Sequence, residues 1–563
     1  MTRLFILAGL AAALVGCQAD ATVESSVESS AVRGGLESSA LGADMAGAAA
    51  ADPLVVSTTR GLLRGKIDQG VPSFLGVPFA KPPVGDRRFR APEPLDQNWD
   101  GIRDATHYGS ACLQLLPQKS TLGNEDCLYL NVFTPPTAAA GAKKHVMFWL
   151  FGGGFTAGAG DQDLIFNGTG NLYHGATFAK EQDVVVVTIN YRLGELGFTA
   201  HPALSAEDPH GSSGNYASLD QIAALQWVHD NIANFGGDPS QVTIFGESAG
   251  ALSVGQLLVS PLAAGLFSAA IMESGGIGVA PREHRYQQGQ DVATRVGCAG
   301  AKDIPACLRK VPALNFLNPI GNGLLITELF VKDIHEGHMW WLWYGPNVDG
   351  YVFTGDPYTT MREGKHNKVP LIVGNNSEEA ALVPYIGSDL ATYEVAIDAV
   401  SGPFAGDVKK LYPYFNPFPN GRQAVIDAGT DAIFGCDERR VARNALKGGT
   451  PAVYRYVWSH SYRPPHVLSA LGGAFHAAEF PFIWNTTGSF LYPQTSSEQL
   501  LGTRARTYWT HLVSGDPNSA STPAWPRYDL ETEKTQMLDT TISTQSKFRD
   551  AYCNFWDKAL NLY

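Results

Sequence analysis

The sequence predicts an α/β fold with a mostly parallel central sheet flanked by helices. Three observations lead to this prediction. Several short, continuous apolar runs have the composition of strands buried on both faces. Helical patterns lie between these runs, and alternating strands and helices are typical of α/β proteins. The chain has 563 residues, 44% of them hydrophobic, which is enough to form one large core.

The apolar runs and one long helix form the predicted elements. The helix lies in "LDQIAALQWVHDNIANFGGDP", where Asp220 is predicted to cap the start and Gly236-Gly237 to end the helix. Its apolar residues at helical spacing are Ile222, Leu225, Val228 and Ile232. The predicted strands cover 145–151, 184–190, 242–245, 269–272 and 369–373.

The N-terminus predicts an exported lipoprotein. Residues 1–16 hold one positive charge, on Arg3, followed by an apolar run that is too short to span a bilayer. The run ends in "LVGC", which resembles a bacterial lipoprotein signal in which Cys17 is acylated. The alternative is an ordinary signal peptide with a chance cysteine. Gln18 after Cys17 resembles an outer-membrane sorting signal, so we expect a cell-envelope protein anchored in that membrane.

The next segment predicts a flexible tether. Residues 17–52 are small and polar and contain no aromatic residue, so they bury too little apolar surface to fold. No later stretch of the sequence is long and apolar enough to cross a membrane. We therefore expect a single catalytic domain over 53–563 with long loop insertions, and membrane contact only through the lipid.

Charge and composition exclude several classes of partner. The net charge of -13 argues against nucleic acid. His335 and His338 in "IHEGHMW" are three residues apart, which does not match the zinc spacing H-E-x-x-H. No metal and no organic cofactor is predicted. The oligomeric state is not predicted.

The seven cysteines predict disulfides in an exported protein. If Cys17 carries lipid, six remain, and the sequence alone does not choose among their pairings. The pairs that are close in sequence are Cys112/Cys127 and Cys298/Cys307, which leaves Cys436 with Cys553. Free buried cysteines are the alternative.

Ser248 is the predicted nucleophile. The run "VTIF" leads directly into Gly246-Glu247-Ser248-Ala249-Gly250, and a helical pattern follows. This strand–turn–helix context is the one in which a G-x-S-x-G motif forms a nucleophile elbow. The alternative is a small residue in a tight turn. The elbow presents the serine beside a helix N-terminus, which favours developing negative charge.

A serine nucleophile also needs donors for an oxyanion. The stretch "FGGGFTAGAG" follows the predicted strand 145–151. Gly153 and Gly154 have no side chains, so their amides can approach a substrate oxygen. With the amide of Ala249 they form a predicted three-donor oxyanion hole. The alternative is a flexible or phosphate-binding loop, but no "GK[ST]" follows.

Several long motifs are distributed along the chain: "FLGVPFAKPPVGDRRFRAPEP", "GNEDCLYLNVFTPP", "INYRLGELGF", "GNYASLDQIAALQWVHDNIANFGGDPSQVTIFGESAG", "IMESGG" and "SGDPN" followed by "PAWPRYD". Together they resemble the type-B carboxylesterases, which include cholinesterases and bacterial para-nitrobenzyl esterases. The resemblance covers roughly residues 53–560, and it implies an α/β-hydrolase fold with loop insertions around an active-site gorge. It also implies a Ser, Glu, His triad in that chain order.

The resemblance assigns the other triad members. In "VGNNSEEAALV" the family's acid position falls on Glu379, with Glu378 as the alternative one residue away. In "GGAFHAAEFPFIW" the base falls on His476, with His460 and His466 nearby as alternatives. Glu379 would orient His476, which would take the proton of Ser248.

The resemblance also implies several secondary roles. It pairs Cys112 with Cys127, Cys298 with Cys307 and Cys436 with Cys553. Phe151 stands where many bacterial members have histidine. The residues that resemble supporting positions near the histidine, in catalytic or purely structural roles, are Glu247, Ser274 and Glu479. Two alternative roles, lining the gorge wall and ordinary core or lid packing, are left open for three tryptophans, Trp340, Trp341 and Trp343.

The predicted function is a serine carboxylesterase that hydrolyses small-molecule esters with water through an acyl-enzyme. The loop "CLQLLPQKSTLGNEDC" is short and has no aromatic residue, so it offers no cation–π site for choline. A cholinesterase is therefore not expected. The alternatives are hydrolysis of a polyester, a natural-product ester or an amide, and a non-catalytic surface binding module.

Overall fold

A computed structural model describes most of the chain. The described residues are 52–115, 121–161, 172–317, 344–382, 389–414, 420–486 and 492–559. The N-terminal segment with Cys17 lies outside them, as do "IHEGHMW" and Trp340, Trp341 and Trp343. Among the described residues, no helix has both the length and the apolar character needed to cross a membrane.

The strands among the described residues are β1 Val55–Thr58, β2 Gly61–Arg64, β3 Lys66–Asp68, β4 Val71–Pro78, β5 Ile102–Asp104, β6 Gln114–Leu115, β7 Thr121–Leu122, β8 Tyr129–Phe133, β9 Lys144–Leu150, β10 Val185–Ile189, β11 Gly237–Glu247, β12 Ala269–Glu273, β13 Ala280–Pro281, β14 Asn347–Val348, β15 Leu371–Asn376, β16 Val453–Trp458, β17 Thr535–Leu538 and β18 Ser543–Gln545. Eleven of them form the central sheet, in the order β18-β17-β16-β15-β12-β11-β9-β10-β8-β4-β3. The strands from β17 through β10 in this order pair in parallel, and the strands at both ends of the sheet pair antiparallel.

Helices connect these strands, as parallel pairing requires. The α-helices among the described residues are Ala176–Gln182, Gly194–Phe198, Pro202–Glu207, Tyr216–Asn231, Ala249–Val259, Arg282–Arg295, Ile304–Lys310, Pro357–Arg362, Leu390–Ser401, Ala405–Leu411, Asn420–Thr430, Cys436–Lys447, Phe480–Ile483, Ser496–His511 and Asp550–Ala559. A π-helix, Asp431–Gly435, joins two of them.

The predicted α/β class and mostly parallel sheet are confirmed. The five apolar runs correspond to β9, β10, β11, β12 and β15, with boundaries shifted by up to a few residues. Their side chains are almost all buried, which explains why these strands are apolar throughout. Two further parallel strands, β16 and β17, were not predicted. Arg455 interrupts the apolar run of β16, although it too is buried.

Asp220 does not cap the predicted helix, so that expectation was wrong. The helix begins earlier, at Tyr216, and Asp220 lies inside it. Its carboxylate is buried and binds Arg192 through Nε at 2.8 Å and Nη2 at 2.7 Å. An aspartate can cap a helix or pair with an arginine, and here the contact with Arg192 determines which role Asp220 has. Gly236 does end the helical segment, with φ 82°.

Aromatic packing supports the central strands on one face of the sheet. The ring of Trp149 on β9 lies 4.8 Å from that of Phe245 on β11 and 5.2 Å from that of Trp484. Burying one large apolar side chain contributes about 1.5–3 kcal/mol. Trp484 directly follows helix Phe480–Ile483, so this contact ties the chain after His476 to the strands that lead into the serine turn and the glycine-rich loop.

All three implied disulfides are present: Cys112–Cys127, Cys298–Cys307 and Cys436–Cys553. The first two close short loops of 15 and 9 residues separation. The third spans 117 residues and joins the start of helix Cys436–Lys447 to the C-terminal helix.

Candidate active site

The predicted site residues lie after the carboxyl ends of neighbouring parallel strands. The glycine-rich loop follows β9, Ser248 follows β11, and Glu379 follows β15. His476 lies between β16 and helix Phe480–Ile483. In open α/β sheets this edge is where ligands bind. The topology therefore brings together residues that are far apart in sequence.

Ser248 occupies a strained backbone position. Its φ is 56° and its ψ is -123°, a conformation that costs a non-glycine residue on the order of 1–3 kcal/mol. The turn is stabilised because Ser248 N–H donates to Glu273 O at 2.8 Å and Leu252 N–H donates to Ser248 O at 2.9 Å. The serine directly precedes helix Ala249–Val259 and is half-buried. This is the geometry that the elbow motif predicted.

The two motif glycines allow strands and loop to meet closely. A Cβ on Gly246 would lie 2.6 Å from Leu150 O, and one on Gly250 would lie 2.0 Å from the same oxygen. Neither distance is tolerated by real side chains. A larger residue at either position would push the turn away from β9, which leads into the glycine-rich loop.

The glycine-rich loop passes beside the serine. A Cβ on Gly152 would lie 3.1 Å from Ser248 Cβ. Gly153 has φ 105° and Gly154 has φ 63°, so both adopt backbone conformations that favour glycine. Among the described residues, the N–H groups of Gly153, Gly154 and Ala249 have no backbone acceptor. These three N–H groups can therefore donate to a substrate oxygen, as an oxyanion hole requires.

Glu379 and His476 form a direct pair. His476 Nδ1 lies 2.6 Å from Glu379 Oε2, a distance at which Nδ1–H donates to the carboxylate. Asn376 N–H donates to the other oxygen of Glu379 at 2.7 Å. Glu379 is buried, whereas the His476 side chain keeps 13% of its surface exposed. The pair therefore has a buried carboxylate and an imidazole that faces an accessible space.

The alternative acid and base residues, Glu378, His460 and His466, have other partners. Glu378 Oε2 accepts the N–H of Ala474 at 2.7 Å and the hydroxyl of Ser377, and no contact joins it to the imidazole. His460 binds Asp539 and Glu498. His466 Nδ1 accepts the N–H of Leu468 at 3.3 Å. Of the candidates, only the pair of Glu379 and His476 has the geometry of an acid and a base beside the serine turn.

Buried carboxylates surround the imidazole. His476 Nε2 lies 3.1 Å from Glu247 Oε1, but neither oxygen of Glu247 has a hydrogen-bond partner among the described residues. Burial lowers the pKa of His476, while the charges of Glu247 and Glu379 raise it, and the net result is about 10. This environment favours the imidazolium, the form that arises when the base takes a proton.

The same carboxylates have perturbed protonation. Burial raises the pKa of Glu247 well above its ordinary value, and the charges of Glu479 and Glu379 add to the effect although His476 opposes it. Burial and the charge of Glu379 raise the pKa of Glu479 to about 7. Glu273 is raised well above its ordinary pKa by burial and by Glu479. Perturbed pKa values of this kind are typical of functional sites.

The predicted supporting residues are all close to this cluster. Glu479 Oε2 accepts from Asn376 Nδ2 at 2.5 Å. Ser274 is buried, has φ 58°, and its N–H donates to Gly374 O at 2.7 Å. Its hydroxyl has no partner among the described residues.

Asn376 is a site residue that the sequence analysis missed. Its Nδ2 donates to Phe475 O at 2.8 Å as well as to Glu479, and its own N–H binds Glu379. One buried amide thus joins the acid-bearing and base-bearing loops. Its position at the end of β15, three residues before the acid, is the signal that could have indicated it.

The described residues contain no group of three or more His, Cys, Asp or Glu side chains arranged to hold a metal ion. The charged groups around Ser248 consist of carboxylates and one imidazole. Such a set can orient a base and move protons. The arrangement therefore supports acid–base and nucleophilic chemistry at the serine.

Comparison with known proteins is consistent with this geometry. Residues 52–398 and 417–556 match the Carboxylesterase family. The para-nitrobenzyl esterase of Bacillus subtilis is 34% identical over 513 residues, covering 87% of this chain and 96% of the relative. Carboxylesterase 5A of Canis lupus familiaris is 34% identical over 561 residues, covering 91% and 90%.

Solved structures of relatives have the same fold. A para-nitrobenzyl esterase structure superposes with a TM-score of 0.73 at 32% identity, covering 90% of this chain and 100% of the other. A Geobacillus stearothermophilus carboxylesterase gives a TM-score of 0.73 at 32% identity, covering 89% and 100%. The α/β-hydrolase fold is thereby confirmed. The chain belongs to the Carboxylesterase family and is a carboxylic ester hydrolase.

Proposed function

We propose that the protein hydrolyses carboxylic esters through an acyl-enzyme formed on Ser248, with His476 as the base and Glu379 as the acid that orients it. The observation that carries this proposal is the 2.6 Å contact between His476 Nδ1 and Glu379 Oε2. It leaves Nε2 as the nitrogen that can accept the serine proton, and Nε2 lies 3.1 Å from Oε1 of Glu247, the residue before Ser248.

The reaction has two halves. In the first, Ser248 Oγ attacks the ester carbonyl carbon while Nε2 of His476 takes the hydroxyl proton. The tetrahedral intermediate collapses, the C–O bond to the alcohol breaks, and the imidazolium returns the proton to the leaving alkoxide. In the second, water attacks the acyl carbon and gives a proton to Nε2. The bond between that carbon and Ser248 Oγ then breaks, the imidazolium returns the proton to Oγ, and the carboxylic acid leaves. The carboxylate of Glu379 stabilises the imidazolium in both halves.

The oxyanion is stabilised by backbone donors. The amides of Gly153, Gly154 and Ala249 are proposed to bind the negative oxygen of both tetrahedral intermediates. Removal of one such donor typically costs about 2.7–4 kcal/mol of transition-state stabilisation. The strained φ of Ser248 supports this role because it presents the side chain at the start of helix Ala249–Val259.

The resting geometry implies one side-chain movement. Among the described residues, no hydrogen bond joins Ser248 Oγ to His476, and Nε2 of His476 lies 3.1 Å from Glu247 Oε1. We expect the serine hydroxyl to rotate toward Nε2, or the ring to move away from Glu247, when an ester binds. Catalytic hydrogen bonds are often loose before substrate is bound.

An active-site probe tests the nucleophile. A fluorescent organophosphonate should label the wild-type protein and should not label Ser248→Ala. The matched control is Ser253→Ala, which changes a buried serine of the same helix whose hydroxyl binds Ala249 O. Labelling of Ser248→Ala at the wild-type rate would show that another residue is the nucleophile.

Small-molecule esters are the proposed substrates. The described part of the Cys112–Cys127 loop has no aromatic ring to hold a choline group. A turnover panel in which acyl and alcohol groups vary independently should show rapid hydrolysis of uncharged esters and little of choline esters. Faster hydrolysis of choline esters than of their uncharged isosteres would contradict this assignment.

We also propose that residues 1–16 are a lipoprotein signal, 17–52 a tether and 53–563 the catalytic domain. In this proposal Cys17 is acylated, and its lipid anchors the enzyme to the outer membrane of a bacterial envelope. The sequence "LVGC" and the polar segment after it support this proposal. Processing should be sensitive to globomycin, and Cys17→Ser should release the enzyme from membranes. An unchanged distribution of Cys17→Ser would reject the anchor.

A further inference from the structure

Gln114 makes a two-way contact with the glycine-rich loop. Its Oε1 accepts the N–H of Gly158 at 2.9 Å, and its Nε2 donates to Gly158 O at 3.0 Å. Nε2 also donates to Cys112 O at 3.0 Å. The side chain is 1% exposed. One buried amide therefore satisfies both backbone groups of Gly158, as a neighbouring strand would.

Gly158 directly follows the turn that contains the oxyanion-hole candidates. Gly153 O accepts from Thr156 N–H at 3.1 Å, from Thr156 Oγ1 at 3.1 Å and from Ala157 N–H at 3.2 Å. These bonds make residues 153–157 one compact unit. A Cβ on Gly158 would lie 2.3 Å from the Phe151 ring, so the residues on either side of this unit pack against each other. A shift of Gly158 would therefore be transmitted to Gly153 and Gly154.

Other supports of this loop come from the chain that follows β10, including Gly194 N–H, which donates to Phe155 O at 2.7 Å. Tyr191 OH donates to Phe151 O at 2.6 Å, and the two rings stack at 4.2 Å. Gly160 N–H donates to Asn190 Oδ1 at 2.8 Å. Gln114 differs because it belongs to the Cys112–Cys127 loop. It connects the glycine-rich loop to a separate part of the chain.

That part of the chain is itself closed. Leu113 N–H donates to Asn124 O at 3.0 Å, and Asn124 N–H donates to Ala111 O at 3.1 Å. The disulfide Cys112–Cys127 joins the same two segments. Gln114 therefore belongs to a segment that is cross-linked by a disulfide and by backbone hydrogen bonds, which limits how far its side-chain amide can move.

We infer that Gln114 is a positioning residue for ester hydrolysis: it holds Gly158 so that the amides of Gly153 and Gly154 keep the orientation of an oxyanion hole. This inference rests on the proposed function of that hole. Preorganised donors stabilise the transition state because they need no rearrangement when negative charge develops. The ground-state ester has little negative charge on its oxygen, so a loosened hole lowers kcat more than it raises KM.

The first test compares Gln114→Met with Asn131→Leu. Asn131 is a matched control because it is a buried amide that also binds a glycine, accepting Gly76 N–H at 3.0 Å and donating to Thr188 Oγ1 at 3.0 Å, and because its strand, β8, is separated from β9 by β10. Both variants should lower Tm. Gln114→Met should lower kcat by about 10–100-fold with KM changed by less than about 3-fold, and Asn131→Leu should leave kcat within about 3-fold.

A tetrahedral mimic distinguishes positioning from general loosening. A trifluoromethyl ketone forms an oxyanion on Ser248, so its inhibition constant should rise in Gln114→Met by the same factor by which kcat/KM falls. An unchanged inhibition constant, or a kcat loss no larger than that of Asn131→Leu, would overturn the inference. A failure of the proposed function is seen separately, as turnover that survives in Ser248→Ala.

A conservative variant gives a second test should Gln114→Met not fold. The carboxyl of Gln114→Glu can both donate and accept when protonated but cannot donate when ionised. Its kcat relative to wild type at the same pH should therefore be closest to one at the acidic end of the stable range and should fall as pH rises. A ratio that does not change with pH would contradict a role for the Gly158 O contact.

Discussion

His476 and His460 each lie between two carboxylates, but their surroundings differ in what else binds those carboxylates. His476 contacts Glu379 at 2.6 Å and Glu247 at 3.1 Å. His460 contacts Asp539 at 2.8 Å and Glu498 at 3.1 Å. The ring geometry alone therefore does not distinguish a base from a structural histidine.

The partners of Glu498 make the second cluster structural. Glu498 accepts from Arg463 Nε and Nη2 at 2.9 Å, from Tyr492 OH at 2.5 Å and from Thr495 N–H at 2.6 Å. Burial raises the pKa of Glu498, but these donors outweigh it and hold the pKa well below the ordinary value. The cluster ties the start of helix Ser496–His511 to the residues that follow β16.

Among the described residues, no arginine or lysine binds the two carboxylates that contact His476. Glu379 accepts from one backbone amide besides the imidazole, and Glu247 has no hydrogen-bond partner. The charges of these carboxylates raise the pKa of the imidazole, and Ser248, the proposed nucleophile, directly follows Glu247. A histidine between carboxylates becomes a candidate base where those carboxylates lack other donors and a hydroxyl is adjacent.

The largest expected effect separates the two histidines. His476→Ala should lower kcat for ester hydrolysis by about 10⁴–10⁶-fold, because the base and its triad act as a unit. His460→Ala should lower Tm and leave kcat within about 3-fold at temperatures where it is folded. The measurement is steady-state turnover with thermal unfolding of both variants. Equal loss of kcat in the two variants would remove the distinction.

The acid gives the next largest effect. Glu379→Gln should lower kcat by about 10³–10⁴-fold, because the imidazole loses the group that sets its tautomer and stabilises its charge. Glu378→Gln is the matched control, since its carboxylate binds the Ala474 amide instead. We expect it to keep kcat within about 5-fold. A reversal of these two results would assign the acid to Glu378.

Glu247 should affect pH dependence more than maximal rate. Its ionised form favours the imidazolium, which cannot accept the serine proton, although burial raises the pKa of Glu247 itself. Glu247→Gln cannot ionise, so the pKa of His476 falls and the acidic limb of kcat/KM should move to lower pH by about one unit. The limb of Glu498→Gln should not move. A shift of the Glu247→Gln limb to higher pH would contradict this electrostatic account.

Glu498 should contribute to stability at neutral pH. Because its folded-state pKa is depressed, its contribution is present above its ordinary pKa of 4.5 and is lost as pH falls through the folded value. Glu498→Gln should lower the free energy of unfolding at pH 7 by about 1.5–3 kcal/mol, with a difference that shrinks below about pH 4.5. Chemical denaturation at several pH values measures this. A difference that grows on acidification would exclude the assignment.

Glu438 should show the opposite sign and the smallest effect. It is 0% exposed, and burial with the charges of Glu379 and Asp437 raises its pKa well above 4.5, although Arg455 and a hydrogen bond from the backbone of Gly275 oppose this. The folded state then keeps a proton that the unfolded state loses, so stability falls as pH rises above about 4.5. Glu438→Gln should be more stable than wild type at pH 8, with a smaller gain near pH 5. A destabilised variant at pH 8 would contradict it.

Long apolar runs made most of the central sheet predictable. The five predicted strands are buried on both faces, so their burial is visible directly in composition. β16 was not predicted because Arg455 interrupts its apolar run. In the fold this buried guanidinium has a partner, because its Nη2 donates to O of Gly435, in the π-helix, at 3.1 Å. Asp220 was misassigned for a similar reason. Its partner, Arg192, lies 28 residues earlier in the chain.

The sequence by itself determined the serine turn and the glycine-rich loop. The residues of each motif are contiguous in the chain, and Gly153 is required locally, by its φ of 105° and by Ala157 O. Gly246 and Gly250 are required by a tertiary contact, because Leu150 O on β9 lies against both. Only the tertiary structure shows that Glu379, and not Glu378, contacts the imidazole of His476. Adjacent or nearby residues of one type are equivalent in a sequence, and contacts such as the one between residues 97 positions apart decide which carboxylate meets which imidazole.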